Sequence, residues 1–199
     1  MKTRIAVLVS GGGTNVQALI DARDRGELPH VELALVVSNN QNAYALERAR
    51  RAGIPAVVCL RAKGEPRAIF EERLMEILAA NHIDMIVLAG FMAILSANFV
   101  AHYPNRIINV HPSLIPSFCG EGFYGLRVHR AALDYGVKVT GATVHYVNEI
   151  PDGGRIIAQN AVEILPGDTP ETLQRRVMEQ AEWILLPRAA EEVAKELGQ

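Results

Sequence analysis

Ile5-Ala6-Val7-Leu8-Val9-Ser10-Gly11-Gly12-Gly13-Thr14-Asn15 decides the class of fold. Five apolar, largely β-favouring residues in a row suit a parallel strand buried on both faces. A turn of three glycines follows, then a helical pattern from about Asn15 to Arg25. Strand, glycine turn and helix in that order open a βαβ unit.

Downstream the alternation repeats. Val31 to Val37 predicts the second strand and Ala43 to Ala52 the second helix. Gly53 stops that helix, and Pro55 precedes a short strand from Ala56 to Cys59. Pro66 marks a helix start, continued at helical spacing by Phe70, Leu74, Ile77 and Leu78. Met85 to Ala89 and Arg106 to Val110 are further apolar strands. Right-handed crossovers between such strands give an α/β doubly wound, mostly parallel, Rossmann-like sheet in a single domain. Beyond Asn109 the texture changes. Val137 to Val147 and Arg155 to Ile164 flank a turn at Pro151-Asp152-Gly153-Gly154 and predict an antiparallel extension. Thr169 to Leu197 is helical, with an interruption expected near Pro187.

Composition narrows the function classes. Of 199 residues, 49% are apolar, enough for a sizeable core, and the formal charge of −2 offers no electrostatic grip on nucleic acid or membrane. Cys59 and Cys119 are too few for a secreted disulfide framework or a multi-cysteine zinc site, and the six histidines lack metal-ligand spacing. The basic start is followed by too short an apolar run for a signal peptide, and no segment reaches the ~18 apolar residues of a membrane span. A cytoplasmic protein is expected.

The glycine turn suits a phosphate: glycines allow close backbone approach, and a helix N-terminus presents free N–H groups. It is not a dinucleotide fingerprint, because Val16 stands where the last glycine or alanine belongs, nor a Walker A loop, because no Gly-Lys-Ser/Thr follows. Taken alone it fits a capped turn without ligand as well. The most informative stretch is Asn109-Val110-His111-Pro112-Ser113-Leu114-Ile115-Pro116. Asn109 and His111 are two apart at a strand end, so their side chains leave on one face. An amide donor and an imidazole so placed can serve an acyl centre, one stabilising an oxyanion and the other moving protons. A lone histidine there reads first as a hydrogen-bonded strand-end residue. Asp152-Gly153-Gly154 is either a plain turn or a carboxylate brought to His111, which would raise the imidazole pKa.

Together, Ser10-Gly11-Gly12-Gly13-Thr14-Asn15, Leu88-Ala89-Gly90-Phe91-Met92, the Asn109 to Pro116 segment and Asp152-Gly153-Gly154 resemble the phosphoribosylglycinamide formyltransferase family, folate-dependent enzymes of purine synthesis. The resemblance runs from about Arg4 to Pro187. It implies one formyltransferase domain over residues 1–199, with a ribonucleotide-phosphate half (1–108) and a catalytic and folate half (109–199). It implies transfer of the formyl group of 10-formyltetrahydrofolate, as co-substrate and without a metal, to the amine of glycinamide ribonucleotide. Asn109, His111 and Asp152 would be catalytic. Gly13, Thr14 and Asn15 would take the ribonucleotide phosphate. Glu182, counted back from Pro187 across a stretch one residue longer than the family pattern near Ala181, would also contact the ribonucleotide. The folate would meet Arg67, Met92, Ala93, Ile94, Leu95, Asn109, Asn148, Glu149, Ile150, Pro151 and Asp152. Only small-molecule partners are implied, and the chain fits a monomer or a homodimer.

Two departures stand out. Ala93 occupies a position where many family members carry arginine, and the Ser117 to Gly125 segment is longer than the usual turn and is expected to cover the site. His129, on a helix beyond it, reads as structural, though it could approach the ribonucleotide. The rivals are a 10-formyltetrahydrofolate deformylase, which usually carries an extra N-terminal domain not expected here, a methionyl-tRNA formyltransferase, disfavoured by the net negative charge, and a non-catalytic nucleotide-binding domain.

Overall fold

Ile5, Val7 and Val9 turn to one side of the sheet and Ala6 and Leu8 to the other, and both sets are buried. In the computed structural model, which describes residues 2–198, this strand is β1 (Thr3–Val9), near the centre of a seven-stranded sheet. The others are β2 (Val31–Ser38), β3 (Ala56–Val58), β4 (Met85–Leu88), β5 (Ile107–His111), β6 (Val139–Tyr146) and β7 (Ile156–Glu163). The sheet order is β3-β2-β1-β4-β5-β6-β7. The first five strands are parallel, and β6 and β7 join antiparallel, as the change of texture after Asn109 predicts.

The helices are α1 (Thr14–Asp24), α2 (Tyr44–Arg51), α3 (Arg67–Ala80), α4 (Ala97–His102), α5 (Leu126–Tyr135), α6 (Pro170–Val177) and α7 (Trp183–Leu197). One core contains Val16 and Leu19 of α1, Ala45 and Ala49 of α2, Leu173 of α6 and Leu186 of α7. The opposite core contains Phe70, Leu74 and Leu78 of α3 and Phe99 of α4. The chain winds from β1 outward to β3, then returns to β4 on the other side of β1. That reversal leaves a crevice at the carboxyl ends of β1 and β4, the usual ligand position in open α/β sheets.

Two expectations need correction. The C-terminal helical region is not interrupted at Pro187, which lies within α7. The irregularity is a wide π turn, Met178–Glu182, just before α7. A proline ring clashes with the carbonyl four residues back, here that of Trp183, the first residue after the wide turn. The π turn spans Ala181, where the chain is expected to be one residue longer than the family pattern. The second correction is α4, which the sequence pattern did not predict. Its start is capped by Ser96, whose Oγ accepts the Phe99 N–H at 3.1 Å.

Candidate active site

Three segments meet at the carboxyl ends of the strands. The glycine turn after β1 abuts the segment after β4: Ser10 N–H donates to Gly90 O at 3.1 Å, and Met92 N–H donates to Ser10 Oγ at 2.8 Å. β5 ends at His111. The β6–β7 connection carries Asp152, whose φ of 55° is left-handed, a conformation that Asp and Asn tolerate better than most residues.

The expected trio converges on Asp152. Its Oδ2 lies 3.4 Å from His111 Nδ1 and accepts the Gly120 N–H at 2.8 Å. Its Oδ1 accepts from Asn109 Nδ2 at 3.4 Å and lies 3.6 Å from His145 Nε2. Asn109 Nδ2 also lies 3.2 Å from His145 Nε2, while His145 Nδ1 donates to Tyr146 O at 2.8 Å. His145 is the residue that sequence reasoning missed. It is directly opposite Asn109 in the β5–β6 pairing, and its signal was a histidine inside a strand buried over seven of its eight residues.

The Ser117 to Gly125 segment lies over this group. His111 Nε2 donates to Phe118 O at 2.9 Å, and Gly120 supplies the N–H to Asp152. The turn leading there is fixed from beneath, where Thr143 Oγ1 donates to Ser113 O at 2.7 Å and Ser113 Oγ donates to Ser117 O at 2.6 Å.

The electrostatics differ from the expectation that Asp152 leaves the imidazole charged. Burial pulls His111 below its ordinary value, and outweighs the opposing charge of Asp152 and the bond to Phe118 O. Burial pushes Asp152 upward, but the His145 ring, the His111 charge and the Gly120 N–H together bring it below the usual carboxylate range. The unliganded site at neutral pH therefore pairs an ionised Asp152 with a mainly neutral His111.

Two cavities flank the group. One, of about 120 Å³, is lined by Ala93, Ile94 and Leu95, by Asn148, Glu149, Ile150, Pro151 and Asp152, and by Asn109 and His145. The other, of about 550 Å³, is bordered by Asn15, Met92, Ile94, Asn109, His111, the Gly120 to Gly125 cover, Asp152, Gln174, Met178 and Glu182. Asn15 Nδ2 donates to Glu182 Oε2 at 2.8 Å, and near-complete burial pushes the Glu182 carboxyl upward. The position of α6, which leads to Glu182, is set by a Thr169–Thr172 capping box and by a two-pronged Asp168–Arg176 ion pair.

Not every expected residue reaches these linings. Gly13 and Thr14 stay behind Asn15, with Thr14 Oγ1 turned to Met178 Sδ at 3.8 Å. Arg67 is exposed at the start of α3, 3.9 Å from Glu71, whose carboxylate in turn accepts from Ser96 N–H at 2.7 Å. Ala93 borders the smaller cavity, where its side chain is no more than a methyl group. A third cavity, of about 320 Å³, lies behind α1 between Gln17, Arg48 and Trp183, and none of the converging groups lines it.

His129 is fully buried on α5, outside both linings, and neither ring nitrogen has a hydrogen-bond partner among the described residues. Burial, with the His111 charge adding, pulls it from 6.5 to about 4. A depressed histidine contributes fully above its unfolded pKa, and the contribution is lost as pH falls from about 6.5 toward 4. At about 1.4 kcal/mol per unit, the loss comes to roughly 3 kcal/mol. His129→Leu is therefore expected to flatten the acid limb of stability, read from urea midpoints across this range. Equal slopes in variant and wild type would clear His129 of that role.

Comparisons with known proteins identify the family. A family model described as formyl transferase matches residues 3–189. The chain is 46% identical over 189 residues to the trifunctional purine biosynthetic protein adenosine-3 of Drosophila pseudoobscura pseudoobscura, covering 94% of this chain but only 13% of that protein. It is 41% identical to a phosphoribosylglycinamide formyltransferase of Haemophilus influenzae, covering 89% of this chain and 81% of the relative. The crystal structure of glycinamide ribonucleotide transformylase 1 from Symbiobacterium toebii superposes with a TM-score of 0.91 at 42% identity, covering 98% of this chain and 89% of that one.

Proposed function

The chain belongs to the formyl transferase family, and on that premise we propose that it transfers the formyl group of 10-formyltetrahydrofolate to the amine of glycinamide ribonucleotide in de novo purine synthesis. One observation carries the reading: Asn109 and Asp152 line both cavities. Two ligands, one in each cavity, would meet at this pair. The smaller cavity, walled by Ala93 to Leu95 and Asn148 to Asp152, takes the pterin end of the folate. The larger, with Asn15 and Glu182, takes the ribonucleotide, whose phosphate would extend past this lining toward the turn of Gly13 and Thr14. Residues on both sides of position 108 build the folate wall, so the two halves share the work.

The amine nitrogen attacks the formyl carbon, a C–N bond forms, and the carbonyl electron pair moves to oxygen. Asn109 Nδ2, whose bond to Asp152 is long at 3.4 Å, has a proton to offer that oxyanion. The developing negative charge adds to that of Asp152 in favouring the His111 cation, against the burial that keeps the free ring neutral. Collapse then breaks the bond to folate N10. The proton lost by the amine passes to N10, so the products are the formylated ribonucleotide and tetrahydrofolate. Orientation of two bound substrates supplies much of the barrier reduction, and no covalent enzyme intermediate is needed.

The reading extends to a cytoplasmic setting, supported by two free cysteines, Cys59 and Cys119. The test is to follow the absorbance of a 10-formylfolate analogue with and without glycinamide ribonucleotide. Loss of formyl that depends on the ribonucleotide is expected. Loss without it would make the protein a hydrolase, and no loss would make it a binding module.

A further inference from the structure

The glycine turn is tethered from one side by a row of donors. Asn40 Nδ2 donates to Ser10 O at 3.2 Å, Ala45 N–H to Gly11 O at 3.2 Å, and Arg48 Nε to Gly12 O at 2.9 Å. All three donors come from α2 or the segment leading into it. In a planar trans peptide the carbonyl of one residue points opposite to the N–H of the next. Binding the carbonyls of Ser10, Gly11 and Gly12 on that side therefore turns the N–H groups of Gly11, Gly12 and Gly13 away from it. Successive N–H groups presented together make an anion cradle. This one runs on into the α1 N-terminus, where the first helical bond is Gln17 N–H to Gly13 O at 2.9 Å.

Arg48 is the only charged donor of the three, and it is itself held. Nη1 donates to Gln17 Oε1 at 3.0 Å, and the guanidinium lies over the Tyr44 ring, 5.0 Å from its centre. The turn has no freedom to settle closer to α2. Gly13 has φ of 72°, and a Cβ there would come within 2.5 Å of Ala45 Cβ. We propose that Arg48 is a positioning residue for the phosphate cradle: it fixes the Gly12–Gly13 peptide so that its N–H faces the ligand. The proposal rests on reading this turn as the ribonucleotide phosphate site.

The test compares wild type with Arg48→Ala and Arg48→Lys in the full chain. It uses formyl-transfer kinetics and, independently of catalysis, calorimetric binding of ribose 5-phosphate. Loss of a charged hydrogen bond predicts about a 10-fold rise in the ribonucleotide KM and ribose 5-phosphate Kd of Arg48→Ala. Turnover and the formyl-donor KM are expected to stay within about two-fold, and Arg48→Lys, which keeps a charged donor, is expected to recover part of the loss. Unchanged binding in Arg48→Ala, or an equal rise in both KM values, would overturn the positioning role. A wild type that binds ribose 5-phosphate without transferring formyl would defeat the function instead, with Arg48 still judged by Kd. A wild type that does not bind ribose 5-phosphate would defeat the cradle and this inference together.

Discussion

Asp152→Asn is expected to lower turnover about 100-fold or more, the usual loss when a proton-transfer residue or the group that tunes it is removed. Asparagine suits the left-handed backbone at position 152 and keeps an oxygen for the Gly120 N–H, so the fold should survive. What disappears is the negative charge 3.4 Å from His111 Nδ1. That charge is the largest influence holding the ring's pKa up against burial. Without it the His111 pKa moves further down, and a smaller fraction of the imidazole is protonated at any given pH. Two measurements check this: steady-state turnover, and the titration midpoint of the His111 ring by NMR in wild type and variant. A midpoint that stays put or rises, or near-normal turnover, would remove Asp152 from the mechanism. His111→Asn is expected to lose a comparable factor, because it deletes the titrating group itself.

The fold was legible wherever burial on both faces leaves a mark in the sequence. β1 and β4 read as strands because every position from Ile5 to Val9 and from Met85 to Leu88 is buried. α4 escaped because six residues, with Phe99 as the only buried one, cannot establish a helical period. Pro187 misled because its effect falls one turn upstream: the ring crowds the Trp183 carbonyl, the wide turn lies just before it, and Pro187 itself stays within the helix. Glu182, counted back from Pro187, lies at the end of that same turn and borders the larger cavity.

The site was legible in its side chains and hidden in its backbone. Parity along β5 put Asn109 and His111 on one face, and both reach Asp152. Their immediate partners include Phe118 O and Gly120 N–H, and main-chain groups carry no residue signature. The sign of the His111 shift was missed for a related reason. A carboxylate neighbour can be guessed from sequence, but the depth of burial that opposes it depends on the cover and on the strands around the ring.

Gly154→Ala is expected to cost about 3 kcal/mol of stability, at the upper end of what overpacking usually costs, and to lower Tm by roughly 6–12 °C for a chain of this size. The cause is space. A Cβ at Gly154 would lie 1.7 Å from Tyr146 O and 2.7 Å from Tyr146 C, both backbone atoms at the end of β6. They have little room to withdraw, because Tyr146 N–H donates to Arg155 O at 2.9 Å and Tyr146 O accepts from His145 Nδ1 at 2.8 Å. Gly153→Ala is the control. Its nearest contacts, at 2.7 Å, are Cβ and Cγ2 of Ile150; Cβ shifts only with its backbone, but Ile150 is 59% exposed and lies in the loop rather than in a paired strand, so a smaller cost of about 1–2 kcal/mol is expected. Since Asp152 is two residues from Gly154, the first variant should also lose turnover in its folded fraction. Thermal unfolding of the two variants side by side separates these effects. If Gly154→Ala melts as the wild type does, β6 and the turn do not approach each other closely, and the contact that sets Asp152 at the end of β5 lies elsewhere.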